Sequence, residues 1–216
     1  MTFKEPSLTA SLIEDVLSEL ANLARDEGKV IDLAIYGGGA LCLVSNFRIA
    51  TRDLDAVADD DGQRVIERLA KVVAERRRWS PDWLNDDVFP FLSDSVTGLN
   101  DHHSFVRSYP CEHAPGLRVF VPTAEYILAM KLMAMRIDDG SARKDRGDIV
   151  NLMSIVGIST KDDALSFLMT FYPEARVSAK VALGLDELFT SGDVPKEASS
   201  EDVAPKYLGR SGPSYR

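Results

Sequence analysis

The chain has no run of some 18 consecutive apolar residues, and its first residues, Met1-Thr2-Phe3-Lys4-Glu5-Pro6, carry no apolar core of a secretory leader. These two absences predict a cytoplasmic protein with no membrane partner. Only two cysteines occur, Cys42 and Cys111, too few for a disulfide framework. No C-x-x-C and no H-x₃-H spacing is present, so Cys111, His102, His103 and His113 do not spell a zinc site despite their closeness. No G-x-G-x-x-G follows a strand, which excludes the usual dinucleotide-binding oxidoreductase. Basic residues are outnumbered, 25 Lys and Arg against 34 Asp and Glu, and the formal net charge is -9. That balance argues against a protein that coats nucleic acid, though not against one basic channel on an acidic body. Internal repeats and coiled-coil heptads are also lacking.

What remains is an ordinary globular composition, 45% hydrophobic and 27% charged over 216 residues. Residues 8 to 27 place Leu12, Ile13, Val16, Leu17, Leu20 and Leu23 at helical intervals, and Gly28 suits a stop. Val30 to Tyr36 reads as a buried strand. Gly37-Gly38-Gly39 then forms a turn, and Ala40 to Val44 can begin a helix. A glycine turn lets backbone N–H groups face a ligand, and the helix behind it favours negative charge, so a phosphate would sit there. Asp53 and Asp55 stand two apart in a segment of strand character, hence on one face, with Leu54 and Ala56 on the other. Paired carboxylates opposite an anion cradle outline a Mg²⁺–triphosphate site.

Asp59-Asp60-Asp61-Gly62 reads as the cap of a helix carrying Val65, Ile66, Leu69, Val72 and Val73 on one face and ending in Arg76-Arg77-Arg78. That arginine triplet reads as a solvated helix end. Residues 79 to 100 read as a loop-rich connection with one short helix near Trp83. Ser104 to Tyr109 and Leu117 to Val121 read as strands. Ala124 to Ile137 is an apolar helix interrupted by Glu125, Lys131 and Arg136, so Lys131 must snorkel or meet an anion. That anion is either a bound phosphate or Asp145 and Asp148, which share a face of the next helix, opening at Ser141. Asp162 to Tyr172 and Ser178 to Phe189 read as two further amphipathic helices, the latter with Val181, Leu183, Leu185 and Leu188. The remainder to Arg216 reads as a loosely attached tail.

The glycine pair within Gly37-Gly38-Gly39, a short helix, then Arg48, Thr51 and Asp53-x-Asp55, resembles the signature of the DNA polymerase β-like nucleotidyltransferase superfamily. Within it the stretch looks most like the AbiEii-type toxin nucleotidyltransferases and their uncharacterised bacterial relatives. Lys131 in its apolar helix, followed by Lys144-Asp145-Arg146-Gly147-Asp148, is similar to the lysine-then-aspartate motifs of those toxins, and Trp83-Leu84-Asn85-Asp86 is similar to a stretch of the relatives. The resemblance covers residues 28 to 157.

It implies an α/β fold, a small mixed twisted sheet flanked by helices, over residues 1–122 with the N-terminal helix. A helical subdomain over 123–189 and a tail over 190–216 would follow, with the active site in the cleft between the first two. Asp53 and Asp55 would hold Mg²⁺ or Mn²⁺. Gly37, Gly38 and Gly39 would cradle the NTP phosphates, with either Gly37–Gly38 or Gly38–Gly39 as the motif pair. Thr51 would position the aspartate strand, and Arg48 and Arg143 would contact phosphate or RNA. Lys131 would neutralise triphosphate charge, with Asp148, or Asp145 as its rival, orienting it or reaching the acceptor. The implied activity is transfer of an NMP from an NTP to RNA (tRNA foremost) or to a protein hydroxyl, as the toxin beside a cognate antitoxin. Many superfamily members carry a third metal-binding acid on a later strand, and Leu117-Arg118-Val119-Phe120-Val121 has none. The alternative is therefore a non-catalytic nucleotide- or RNA-binding module, a degenerate relative or an antitoxin.

Overall fold

The computed structural model describes residues 3–135 and 142–191. The expected tail from residue 192 on, and Arg136 and Ile137 at the end of the expected apolar helix, lie outside the described residues. The described chain groups into two units. Residues 3–89 and 103–122 form the first, and residues 90–102, 123–135 and 142–191 form the second.

The first unit is built on a five-stranded mixed sheet. Strand β2 (Ile31–Ile35) lies at its centre, antiparallel to β4 (Leu54–Ala58) and parallel to β7 (Leu117–Pro122). The two-residue β5 (Leu84–Asn85) runs parallel to β4 at one edge, and β6 (His103–Tyr109) runs antiparallel to β7 at the other. Ile31, Leu33 and Ile35 share one face, and at Ile31 that face abuts Gly62 of the long helix α3 (Asp60–Arg77). Fully burying each such side chain contributes about 1.5–3 kcal/mol before conformational entropy is counted.

The helix expected over residues 8–27 is helix α1 (Ala10–Asp26), capped by the Thr9 hydroxyl, which accepts the Leu12 N–H at 3.4 Å. Ile13, Val16, Leu17, Leu20, Ala21 and Ala24 form its buried stripe, and Gly28 follows at φ +69° as the expected stop. Leu8 and Thr9, expected as helix, instead form a short strand β1 that pairs with β3 (Ala50–Thr51), Leu8 opposite Thr51. Asp59 caps α3 by accepting the Gly62 N–H at 2.7 Å. The stripe of α3 falls on Ile66, Leu69, Ala70, Val73 and Ala74, so Val65 and Val72 flank it rather than fill it. Trp83 lies in a 3₁₀ turn (Pro81–Trp83), and its indole N–H donates to the Ala70 carbonyl at 3.0 Å. Arg76 and Arg77 are tied to Glu19 of α1 rather than merely solvated, Arg77 at 2.8 Å.

In the second unit, helix α4 (Ala124–Met133) buries Ala124, Tyr126 to Met130 and Leu132, as its apolar sequence demands. Helices α5 (Ala142–Val156), α6 (Lys161–Phe171) and α7 (Ala179–Thr190) complete it. Leu183, expected on the apolar stripe of α7, is 59% exposed; Gly184 takes the inward place beside Met135, where a larger residue would collide. Residues 90–102 join this unit through specific bonds. The Tyr172 hydroxyl donates to Phe91 O at 2.6 Å, Arg176 donates to Leu92 O at 3.0 Å and Pro90 O at 2.8 Å, and the Ser93 N–H donates to the Tyr126 hydroxyl at 2.9 Å. No described helix is long and apolar enough to cross a membrane.

Candidate functional site

The three glycines are the first turn of helix α2 (Gly37–Val44), not a loop that precedes a helix at Ala40. The reason is crowding. Gly37 has φ +56°, a left-handed backbone that glycine alone adopts without strain, and a Cβ there would enter the carboxylate of Asp55. A Cβ on Gly38 would lie 2.7 Å from Thr51 Oγ1 and 3.2 Å from Arg48 Nη2. On Gly39 it would lie 2.5 Å from Leu54 Cδ2, in the core. Gly37 and Gly38 therefore face Asp55, Thr51 and Arg48, whereas Gly39 makes room for packing.

The alternation expected around the aspartates is present. Leu54 and Ala56 are fully buried, Asp55 is half-buried and Asp53 is exposed. Asp53 stands just before β4 rather than within it. The buried Thr51 hydroxyl donates to Asp53 Oδ1 at 3.4 Å, and Arg48 Nε donates to Ala50 O at 3.1 Å, closing the loop that carries both aspartates. Asp55 lies opposite Asn85 of β5, but the Asn85 amide serves its own turn, accepting the Asp87 N–H at 2.9 Å and donating to Asp82 O at 3.3 Å.

Tyr36 was not singled out by sequence, since it only closes an apolar run. It is 4% exposed, its N–H donates to Asp55 O at 2.8 Å, and its hydroxyl shares a hydrogen bond with His103 Nε2 at 3.0 Å. His102 rests edge-on against Phe171 at 4.9 Å between ring centroids, in the second unit. Among the described residues no three His, Cys, Asp or Glu side chains gather as a metal site.

In the second unit Lys131 meets both carboxylates that share a face of α5. Its Nζ lies 3.0 Å from Asp145 Oδ1 and 2.9 Å from Asp148 Oδ2. The side chains of Lys131 and Asp148 are 11% and 4% exposed, that of Asp145 46%. The ammonium and the buried Asp148 compensate one another, and Asp145 adds a partly solvated second anion. The side chain of Arg143 lies outside the described residues.

No protein-family model matches the chain. No curated protein matches it. Among solved structures it is similar to the crystal structure of an antigenic nucleotidyltransferase-like protein from Paracoccidioides brasiliensis, at 18% identity over 82% of this chain and 94% of that one, with a TM-score of 0.41. A likeness that loose assigns no residue a role.

Proposed function

We propose that this chain is a Mg²⁺- or Mn²⁺-dependent nucleotidyltransferase that moves an NMP from an NTP onto an RNA hydroxyl, tRNA foremost, or onto a protein hydroxyl. The observation that carries the reading is the bare Cα of Gly37 set against the Asp55 carboxylate, at the start of a helix, with Asp53 two residues away. It supports a phosphate bound beside a hard cation.

The donor set fits the ion. Carboxylate oxygens suit Mg²⁺ and Mn²⁺, and Mg²⁺ is ordinarily held by one or two carboxylates together with substrate phosphates. The bare Cα of Gly37 lets the Asp55 carboxylate come close to the start of α2, which supports an ion held by that carboxylate beside a phosphate at the helix end. Asp53 and Asp55 would hold it, and when bound it neutralises charge on the phosphoryl group under attack.

The other residues follow from charge and reach. Backbone N–H groups of the first turn of α2 donate to phosphate oxygens at the positive end of the helix. Arg48, whose Nη2 lies 3.2 Å from where a Cβ on Gly38 would be, is within reach of a phosphate bound at that turn. Thr51 holds Asp53. An acceptor hydroxyl oxygen then attacks the α-phosphorus, its proton passes to solvent, and the bond to the α,β-bridging oxygen breaks, releasing pyrophosphate. Positioning and charge supply most of the acceleration. To Lys131 and Asp148 we assign the role of the lysine–aspartate pair of the resembled toxins, with Asp145 as the solvated partner. By the same resemblance we assign a cytoplasmic toxin role with a cognate antitoxin.

The test is transfer of α-³²P from each of the four NTPs, with Mg²⁺, into total RNA and total protein, beside an Asp53→Ala/Asp55→Ala double variant. Label in one fraction, falling at least about a hundredfold in the variant, is the expected result. NTP binding with no label in either fraction makes the chain the non-catalytic binding module instead.

A further inference from the structure

Tyr36 sits where the sheet delivers the chain to α2, and its N–H, carbonyl and hydroxyl are all bonded. Its N–H donates to Asp55 O at 2.8 Å, its carbonyl accepts the Ala40 N–H at 3.1 Å, and its hydroxyl meets His103 Nε2 at 3.0 Å. The strand registers explain how one side chain reaches so far. The antiparallel pairing of Ile35 with Ala56 places Tyr36 opposite Asp55, and the parallel pairing of Ala34 with Phe120 carries on to Pro122. Pro122 is in turn opposite His103. Asp55, Tyr36, Pro122 and His103 thus form one lateral row, on the face away from Ile31, Leu33 and Ile35. Neighbouring strands stand about 4.8 Å apart, so the tyrosine spans the short proline to meet the histidine two strands over. The rings meet edge to face, centroids 5.6 Å apart at 88°.

Phenylalanine would fill the same buried space. A hydroxyl there is costly unless it is bonded, and His103 bonds it. Resting on the nucleotidyltransferase reading above, we infer that Tyr36 is a positioning residue, and that His103 holds it. Between them they fix the gap between the Gly37 turn and the Asp55 carboxylate. Tyr36 is bonded to the backbone of Asp55 and leads directly into the left-handed Gly37. A rotation of Tyr36 therefore changes that gap, and such displacements are expensive at a reacting centre.

The experiment compares the full-length wild type with Tyr36→Phe, His103→Leu, His103→Gln and the Tyr36→Phe/His103→Leu double variant. Three quantities are read: steady-state transfer, Mn²⁺ binding with each α,β-methylene NTP followed by electron paramagnetic resonance, and the urea midpoint. We expect kcat about tenfold lower in Tyr36→Phe and His103→Leu, with NTP KM within about twofold and weaker Mn²⁺ binding. The double variant should be no worse than either single, because both break one bond. His103→Gln, which can still bond the hydroxyl, should restore most of the rate. Wild-type kcat and Mn²⁺ binding in the single variants overturn the inference, as do additive losses or losses that merely follow the urea midpoint. A wild type that neither transfers label nor binds Mn²⁺ with any analogue overturns the functional reading, and this inference with it.

Discussion

Glycine at position 37 answers two separate demands, a left-handed backbone and the nearness of a carboxylate, and a comparison with Gly28 separates them. Gly28 has φ +69° but nothing within 4 Å of where its Cβ would be. Replacing either by alanine imposes the left-handed penalty of about 1–2 kcal/mol. Only Gly37→Ala also forces the Asp55 side chain to move. Gly37→Ala should therefore lose at least as much stability in urea as Gly28→Ala, while transfer falls more than about tenfold in Gly37→Ala and stays within about twofold in Gly28→Ala. Equal activity in the two would remove Gly37 from the site. The glycines were legible in the sequence, since three in a row after an apolar run have few other uses. Their conformation was not. Local sequence cannot show that Asp55, Thr51 and Leu54 come close enough to exclude any side chain, because those contacts come from strands that pair only in the folded sheet.

Helices α4 and α5 meet through a charge cluster rather than apolar packing alone, and that cluster sets its own prediction. Lys131→Met takes away a cation 2.9 Å from Asp148, whose side chain is 4% exposed, and should lower stability by up to about 3–5 kcal/mol. Adding Asp148→Leu returns the cluster to its original net charge and should recover part of that loss. Asp145→Ala, at a half-solvated carboxylate, should cost under about 1 kcal/mol. Urea denaturation of the three variants beside wild type reads all of these, and a Lys131→Met protein as stable as wild type would show that the cluster contributes nothing. At this scale the sequence was informative wherever a period could run. The stripes of α1, α4 and α6 and the strands β2, β6 and β7 appear in their apolar spacing. Strands β1 and β5 did not, because two residues carry no period and their pairing is decided by distant partners. Val65, Val72 and Leu183 misled for a related reason: alanine and glycine filled the inward positions, and no scale of hydrophobicity ranks Gly184 above Leu183.

For the molecule as a whole, buried tyrosines set an alkaline limit on stability. Burial, with the nearby Glu14 adding to it, pushes the Tyr109 hydroxyl up to about 12, and the Arg107 guanidinium only partly offsets this. Burial also raises Tyr126 and Tyr172. An unfolded chain releases these protons near the ordinary tyrosine value of about 10. The folded state binds them more tightly, so the stabilisation is complete below about pH 10 and is lost as pH climbs toward about 12. Urea midpoints measured from pH 9 upward should fall across that window. Tyr109→Phe, which also removes a buried hydroxyl with no hydrogen-bond partner within bonding geometry among the described residues, should flatten the fall while leaving neutral-pH stability unchanged or slightly higher. A wild-type curve flat to pH 12 would contradict the burial.

Leu8 pairs with Thr51, and Thr51 steadies Asp53. A gene start assigned ten codons too late would therefore encode every glycine and aspartate of the candidate site and still deliver a poorly aligned one. The same caution applies to cloning, since a fusion or cleavage scar that displaces Leu8 alters the very loop an activity assay is meant to interrogate.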